Sequence, residues 1–252
     1  MKDTFYTVRT PGRIALVTDT HGCPFRPIAD SLERNRPDLI AVAGDIIMSD
    51  RPENGGLVVD EQKNILPLLR ACAGIAPTFL SVGNHEWLLC GEDWDRIRDT
   101  GVTLLDDSWT TWNGMVVGGQ TSGWVLKYRA FRTGKAERYP RYGHRIQGPP
   151  DTGWLSDFEK QEGFKLLLCH HPEYYPEYLA GRDIDLILSG HAHGGQWRFF
   201  GRGVYAPGQG LWPKLTAGVH DGRLVISRGL ANTAGFPRIN NPMEIVYLLP
   251  EG

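Results

Sequence analysis

Two histidines one residue apart, His191 and His193, follow directly on a short apolar run, Leu186–Ser189. Residues i and i+2 of a near-extended chain point to the same side, roughly 6.5 to 7 Å apart. Two imidazoles so placed can bind one metal ion, or one ion each of a close pair. Glycines on both sides, Gly190 and Gly194, let the backbone turn without a Cβ clash. The alternative is two surface histidines on a loop, and the other strand ends of the chain bear on that choice.

Four further apolar runs end in the same kind of polar cluster, at 14–17, 39–43, 77–82 and 166–168. Each run is typical of a short buried strand. The residues that follow the runs are carboxylates, an amide and imidazoles: Asp19 and His21, Asp45, Asn84 and His85, His170 and His171. A lone Asp or Asn at a strand end is usually a turn or helix cap. Five polar clusters, which hold six of the eight histidines, indicate a functional site instead.

The types of these side chains narrow the choice of metal ion. Imidazole, carboxylate and amide oxygen without thiolate suit Mn, Fe, Zn, Co or Ni better than a soft metal, and neutral imidazoles disfavour a pure Mg or Ca site. The four cysteines are isolated, with no C-x-x-C pair, so neither a thiolate zinc site nor a disulfide framework is predicted. The number of ligands suits two ions that share a carboxylate. Such a pair, roughly 3.5 to 4 Å apart, binds a phosphate across both ions and lowers the pKa of a bound water, which predicts hydrolysis at phosphorus.

Helical patterns alternate with the apolar runs along the chain. In sheets with helical crossovers, ligand sites collect at the carboxyl ends of the strands, so the polar clusters are expected to converge. Short strands are also predicted near 102–106, 109–112 and 115–117, with closing strands at 224–227 and 244–249. The predicted helices are 24–35, 57–73, 92–99, 154–161 and 173–179.

Between residues 123 and 148 the periodic pattern fails, and the segment is basic and aromatic. Seven Lys and Arg against one Glu give it a charge of +6, and the net charge of −2 leaves −8 for the rest. The segment could cover the metals as a flap, with Arg138 and Arg141 contacting a charged substrate. The alternatives are a solvated surface excursion or a subunit contact.

Length and composition favour one domain, residues 1–252, with 41% apolar residues to form a core. The net charge of −2 and the pI near 6.4 argue against an overall electrostatic preference for nucleic acid. Neither a signal peptide nor a run long enough to span a membrane is visible, so a cytoplasmic protein is expected. The sequence does not define an oligomeric state.

The order and spacing of the motifs across residues 14–193 resemble the calcineurin-like metallophosphoesterase superfamily. The shared motifs are Asp19-x-His21, Gly44-Asp45, Gly83-Asn84-His85-Glu86, His170-x-Pro172 and Gly190-His191-x-His193. The tail, at 190–196, 205–207, 227–230 and 241–244, is similar to the UDP-2,3-diacylglucosamine pyrophosphatase-like branch. The resemblance implies an α/β (α+β) four-layer sandwich, in which two mixed β-sheets pack face to face between flanking helices.

Carried over by position, the resemblance implies two ion sites and a bridging carboxylate. Asp19, His21 and His193 would hold one ion, Asn84, His170 and His191 would hold the other, and Asp45 would bridge them. His85 would face the substrate as a general acid or electrostatic stabiliser. His171 competes with His170 and is otherwise a candidate substrate contact; His170 is favoured because it lies two residues before Pro172. Met48 stands where many relatives carry Asp or Asn, so Asp50 is a candidate to orient His85.

These features predict a dinuclear metal-dependent phosphohydrolase that holds two divalent transition-metal ions, Mn, Fe or Zn. Its substrate would be a small-molecule phosphodiester, pyrophosphate or phosphomonoester, cleaved by metal-bound hydroxide. A nuclease is one alternative, because aromatic side chains interleaved with cations suit a nucleic acid strand. A catalytically inactive metal-binding interaction module is another.

Overall fold

The computed structural model describes residues 1–48, 56–135 and 148–252. The strands that it contains, in chain order, are β1 (Lys2–Val8), β2 (Ile14–Val17), β3 (Leu39–Ala43), β4 (Thr78–Ser81), β5 (Thr103–Leu105), β6 (Ser108–Trp112), β7 (Met115–Gln120), β8 (Phe164–Cys169), β9 (Leu186–Ser189), β10 (Arg198–Phe199), β11 (Arg202–Gly203), β12 (Tyr205–Ala206), β13 (Gly210–Leu211), β14 (Gly218–His220), β15 (Leu224–Ile226) and β16 (Glu244–Pro250). The α-helices are α1 (Arg26–Asn35), α2 (Val58–Glu61), α3 (Ile65–Ile75), α4 (Gly91–Arg98), α5 (Gly123–Arg132) and α6 (Leu155–Glu159).

Two six-stranded mixed sheets form the centre of the molecule. The first has the order β1-β16-β2-β3-β4-β5, and the second has the order β14-β15-β9-β8-β7-β6. In the first sheet β2, β3, β4 and β5 run parallel and β16 is antiparallel to β2. In the second sheet β15, β9, β8 and β7 run parallel, and the edge strands β14 and β6 are antiparallel to their neighbours.

The sheets pack face to face because their strands are apolar on both sides. Along β2, Ile14 and Leu16 lie in the core between the two sheets, whereas Ala15 and Val17 lie in the core under the helices. This division follows from the period of two in a strand. The outer face of the first sheet is covered by α1, α3 and α4, and that of the second by α6 and residues 172–179. The result is the predicted four-layer sandwich with flanking helices.

Some elements differ from the sequence expectation. The helix predicted at 57–73 is two helices, α2 and α3, and Pro67 lies in the first turn of α3, where its missing N–H interrupts no bond. Strand β1 is not predicted, because it alternates poorly and depends on its parallel pairing with β16.

The basic segment at 123–148 also differs, because it begins with a regular helix, α5. Ser122 caps this helix by accepting a hydrogen bond from the Trp124 N–H over 3.3 Å. Trp124, Val125 and Tyr128 are buried on one face of α5. Within the three described ranges, no helix is both long enough and apolar enough to cross a bilayer.

Candidate metal centre

The carboxyl ends of both sheets meet at one edge of the sandwich, where the polar clusters converge. The loop after β2 bonds to the loop after β3, since the backbone N–H of His21 donates to Asp45 O over 3.1 Å. The two sheets are joined at the same place by the His191 N–H, which lies 3.2 and 3.1 Å from the carboxylate oxygens of Asp19. Residues distant in sequence thus form one buried polar cluster.

A first group of three candidate ligands consists of Asp19, His21 and His193, whose donor atoms all lie within 4.8 Å of one another. His21 donates from Nδ1 to Ile47 O over 3.0 Å, which leaves the Nε2 lone pair for a cation. Burial lowers the pKa of His21 to about 4, so its ring is neutral at neutral pH. The two rings of His21 and His193 lie 5.5 Å apart.

A second group consists of Asp45, His170 and His191, again within 4.8 Å. His170 donates from Nδ1 to Ala43 O over 2.7 Å and directs Nε2 at Asp45 Oδ2, 3.0 Å away. Asn84, which precedes His85 in the chain, is buried, and its Oδ1 has no hydrogen-bond partner among the described residues. The carboxylate of Asp45 also lies in a group with His21 and His85, so it is shared between the two halves of the centre.

His85 lies at the open side of this cluster. Its side chain is 19% exposed, whereas the side chains of Asp19, His21 and His170 are fully buried. Its Nε2 is 3.9 Å from Asp45 Oδ2, and its backbone N–H donates to Asp45 Oδ1 over 2.9 Å. The exposed ring can therefore reach a ligand that the buried rings cannot.

The charges of the cluster suit a bound cation. Burial raises the pKa of Asp19, whereas for Asp45 burial is outweighed by His170 and His85, which hold the pKa of Asp45 well below its usual range. For His170 burial is likewise outweighed by Asp45, and the pKa of His170 is raised. A buried carboxylate needs such a positive partner, and a divalent ion fills the same need.

The backbone around the cluster is strained. Asp19, His21, Asp45, His191 and His193 all have positive φ, from 43° to 59°. Non-glycine residues in this region cost of order 1 kcal/mol or more each, and such residues concentrate at functional sites. No periodicity in the sequence predicts this conformation.

Two glycines make room for the carboxylates. A Cβ on Gly83 would overlap the carboxylate of Asp45, and a Cβ on Gly190 would overlap that of Asp19 and the Thr18 hydroxyl. Gly83 and Gly190 begin the motifs that contain His85 and His191, and this close approach is the physical reason why glycine stands at both positions.

Glu86 is a supporting residue that the sequence analysis left without a role. Its fully enclosed carboxylate accepts backbone N–H bonds from Gly83, Asp45 and Ile46 at 2.7, 3.0 and 2.8 Å. Burial and the charge of Asp45 raise the pKa of Glu86 to about 7. Glu86 thereby ties the loop after β3 to the loop after β4. The only sign of this role in the sequence is that Glu86 follows His85 directly in the motif.

His171 has both ring nitrogens engaged by the protein. Its Nε2 lies 2.7 Å from Ser122 Oγ, and its Nδ1 lies 3.1 Å from Glu173 Oε1. The same carboxylate oxygen is 3.6 Å from His191 Nε2. His171 is therefore placed to position Glu173, which in turn faces His191, and these three residues form a further group of possible ligands. The choice of His170 over His171 stays a prediction from the motif.

The C-terminal tail supports the loop that carries His193. Asn241 Nδ2 donates to His193 O over 2.7 Å and to Gln196 O over 3.1 Å. Arg238 Nη2 lies 3.1 Å from His193 Nδ1, and burial together with this cation lowers the pKa of His193 to about 3. A guanidinium only donates, so Arg238 has to release Nδ1 before His193 can bind a cation through Nε2 as a neutral ring.

Three residues with a predicted role in the site lie outside the described residues: Asp50, Arg138 and Arg141. Met48, at the position where relatives carry Asp or Asn, is half-buried, and its backbone N–H donates to Gln62 Oε1 over 2.8 Å. Arg129 of the basic segment pairs with Asp106 at 2.9 Å. The expected substrate contacts of Arg138 and Arg141 stay predictions.

The donor set fits a centre for divalent ions. Two buried acceptor atoms, His21 Nε2 and Asn84 Oδ1, have no hydrogen-bond partner in the described part of the chain, a costly arrangement unless a cation binds there. Nitrogen and oxygen donors without sulfur match a transition-metal hydrolase. A two-sheet sandwich with this cluster at its strand ends defines a metal-dependent phosphoesterase.

A family model for the calcineurin-like phosphoesterases matches residues 12–195. The chain therefore belongs to this family, and it is a metal-dependent hydrolase of phosphoric esters. The matched range contains every candidate ligand and His85. Membership argues against the catalytically inactive module considered above.

Relatives agree with this assignment. The chain is 27% identical over 232 residues to an uncharacterized metallophosphoesterase of Aquifex aeolicus, covering 87% of this chain and 75% of that one. It is 26% identical over 203 residues to phosphodiesterase YaeI of Escherichia coli, covering 75% and 63%. Among solved structures, a dimetal phosphatase from Danio rerio has the same fold, with a TM-score of 0.50, 13% identity and coverage of 89% and 88%.

Proposed function

We propose that this protein is a dinuclear metal phosphohydrolase that cleaves phosphodiesters or pyrophosphates of small molecules. The observation that carries the proposal is the pair of ligand groups that meet at Asp45. One group offers Asp19, His21 and His193, and the other offers His170 and His191. Asn84 is the further donor proposed for the second group, because its buried Oδ1 has no hydrogen-bond partner among the described residues.

Two divalent ions at such a centre polarise the phosphoryl oxygens and make water a nucleophile near neutral pH. Asp45 would supply negative charge to both ions, because its carboxylate belongs to both ligand groups. The carbonyls of Ile47 and Ala43 fix the rings of His21 and His170, so that both present Nε2 to the centre. A fixed ring orientation raises metal affinity, because no rotational freedom is lost on binding.

His85 is the residue proposed to act on the leaving group. It is the most exposed imidazole of the cluster, and a donated proton helps an alkoxide to leave. None of the motif residues is a serine or cysteine beside a base. Ser122 does contact His171, but its side chain is fully buried and cannot reach a substrate. Water is therefore the proposed nucleophile, rather than a side chain.

The preference for diesters and pyrophosphates over monoesters rests partly on the relatives, among which YaeI is named a phosphodiesterase. The likeness of the tail to the UDP-2,3-diacylglucosamine pyrophosphatase-like branch favours a pyrophosphate diester. Support for the tail as part of the site comes from Asn241 and Arg238, which both contact His193. A nuclease remains the second candidate, and three of the seven cations of the basic segment, Arg138, Arg141 and Arg145, lie outside the described residues.

Metal analysis of the purified protein tests the proposal, followed by a panel of monoesters, diesters and pyrophosphates with Mn, Fe or Zn supplied. We expect close to two ions per chain and loss of activity with a chelator. Hydrolysis in ¹⁸O-labelled water under single-turnover conditions should place the label in the phosphate product. A metal content of zero in active protein, or a trapped phospho-enzyme, would overturn the proposal.

A further inference from the structure

A second cavity, distinct from the metal centre, lies beside the β10–β11 hairpin. Its volume is about 530 Å³. We call it the hairpin pocket and define it by Arg198, Arg202, Trp212, Lys214 and Thr216, which line it with His220. The lining of the hairpin pocket is therefore basic, because it contains two arginines and a lysine and no Asp or Glu among its described residues. The sequence explains this composition, because residues 186–220 contain no Asp and no Glu.

Arg198 builds the wall of the hairpin pocket. Its Nη1 donates to Gly194 O over 2.8 Å and to Thr216 Oγ1 over 3.0 Å, and its Nη2 donates to Gly201 O. These bonds hold the hairpin on the loop that follows His193. A Cβ on Gly195 would overlap Gly203, so the two backbones touch there. The hairpin pocket therefore shares its framework with the metal centre.

Arg202 and Lys214 are the cations left for a ligand. Both are exposed, and neither forms an ion pair with a described residue. An anion held between two such cations gains charge-assisted hydrogen bonds, and a phosphate offers several acceptor oxygens for them. A phosphate group therefore suits this part of the hairpin pocket.

Trp212 supplies a flat apolar surface. It is 67% exposed and lines both the hairpin pocket and a neighbouring cavity of about 740 Å³. Its φ is 53°, a strained value for a bulky side chain, and its backbone N–H is bonded to Val204 O over 2.9 Å. The backbone at Trp212 is strained, and burial of the ring does not offset this cost.

We propose that the hairpin pocket binds a phosphorylated ring compound of the nucleotide type. The phosphate contacts Arg202 and Lys214, and the ring stacks on Trp212. The ligand is either the distal half of a large substrate or a separate effector. This site goes beyond the proposed function, because none of its residues belongs to the candidate ligand groups or to the motifs shared with the family before His193.

Binding is tested on the metal-loaded full chain with a phosphonate analogue of AMP that carries CH₂ in place of the ester oxygen and resists hydrolysis. Titration calorimetry and quenching of tryptophan fluorescence give the affinity. Trp212→Ala should weaken binding about tenfold or more, which is typical of a lost base stack. Trp212→Phe, which keeps a ring, should restore most of the affinity and shows that the fold is intact.

The double variant Arg202→Ala/Lys214→Ala should weaken binding, and the effect should shrink as salt is added. Arg26→Ala, an exposed arginine on α1 at the outer face of the first sheet, is the matched control and should bind as the unchanged protein does. Unchanged affinity in both pocket variants, or equal binding of inorganic phosphate and the analogue, would overturn the inference. The readout is binding, so its failure is distinguishable from failure of the proposed hydrolase activity.

Kinetics with methyl p-nitrophenyl phosphate, a small diester, identify the source of the ligand. If the pocket holds the distal part of a substrate, Trp212→Ala should raise KM for an adenosine-bearing pyrophosphate diester and leave the small diester unaffected. If it holds an effector, the phosphonate analogue should change the rate on the small diester, and Trp212→Ala should abolish that change. Either result supports the site. Trp212→Ala kinetics equal to those of the unchanged protein in both assays would contradict it.

Discussion

Asp45 joins the two candidate ligand groups through one carboxylate. Its Oδ2 lies 3.0 Å from His170 Nε2 and 3.9 Å from the Nε2 atoms of His21 and His85, while its Oδ1 accepts the His85 backbone N–H. Charge and hydrogen bonding are thus divided between the two oxygens. A substitution that removes only the charge separates the two roles.

Asp45→Asn is expected to lower the metal content and to reduce kcat/KM by about 100-fold or more, because it weakens both ion sites at once. The amide oxygen can still accept the His85 N–H, so the loop should keep its shape. Elemental analysis and steady-state kinetics measure the two effects. Asp95→Asn, on the exposed face of α4, is the control and should change neither. Full activity in Asp45→Asn would contradict the shared-carboxylate arrangement.

His85→Ala is expected to keep its metals, because the resemblance and the exposure of the ring both set it apart from the buried ligands. Loss of a general acid typically costs about 10² to 10⁴-fold in rate. The loss should be large for an alkoxide leaving group and small for a nitrophenolate, which leaves without a proton. Kinetics on matched diesters measure the ratio. Equal losses on both, with metals intact, would indicate phosphate positioning instead.

At the scale of elements, the centre depends on the loops after β3 and β4 and on their cross-connection. Glu86 accepts three backbone N–H groups from those loops, and all three are buried. A buried N–H without an acceptor costs roughly 1 to 3 kcal/mol. The stability of these loops therefore depends on one side chain that is not itself a candidate ligand.

Glu86→Ala is expected to destabilise the protein by about 3 kcal/mol or more, since three N–H groups lose their acceptor. Glu86→Gln should also destabilise it, because the amide NH₂ would face N–H donors. Chemical denaturation in the presence of a chelator measures the free energy of unfolding apart from metal binding. Glu162→Ala, at an exposed turn, should have little effect. A Glu86→Ala variant as stable as the unchanged protein would contradict this account.

At the scale of the whole molecule, the two sheets bring their carboxyl ends to one edge, and that edge carries a further strained carboxylate. Asp107 lies at the turn between β5 and β6 with φ of 45°. Its Oδ1 accepts from Gln120 Nε2 over 2.6 Å and from the Thr121 N–H over 2.7 Å. Burial raises the pKa of Asp107 to about 7, and the charges of Asp106 and Asp151 add to the effect.

A raised carboxyl pKa makes the stability depend on pH. The contribution of Asp107 is fully present below its unfolded pKa near 4 and is lost as the pH rises to about 7. Asp107→Asn keeps the acceptor oxygen and suits a positive φ, so it should match the unchanged protein near pH 4. Above pH 7 it should be more stable by about 1 to 2 kcal/mol, after allowance for solvent screening.

Denaturation at several pH values with a chelator present tests this expectation. The neighbour Asp106 pairs with Arg129 and accepts from Thr121 Oγ1, so Asp106→Asn removes an ion pair and serves as the control. That variant should gain no stability at high pH. A pH-independent difference between Asp107→Asn and the unchanged protein would show that the Asp107 carboxyl does not titrate between pH 4 and 7.

Most of the inner strands were predictable because burial on both faces gives continuous apolar runs, as in β2, β3 and β9. Strand β1 and helix α5 were not, because their stability comes from tertiary partners. β1 is stabilised by pairing with β16, at the other end of the chain. Helix α5 is stabilised by the burial of Trp124 and Tyr128, which basic residues obscure in the sequence. The single-domain organisation and the role of the basic segment stay predictions.

The sequence by itself determined which donors the centre contains and at which strand ends they occur, because strand periodicity and the residue that ends a strand are local properties. Only the tertiary structure decided how the donors are grouped, that Asp45 is shared, and that His171 is held by Ser122 and Glu173. The same holds for Glu86, Arg238 and Asn241. These contacts join residues far apart in the chain, at distances that depend on how two twisted sheets pack, and no local pattern encodes that packing.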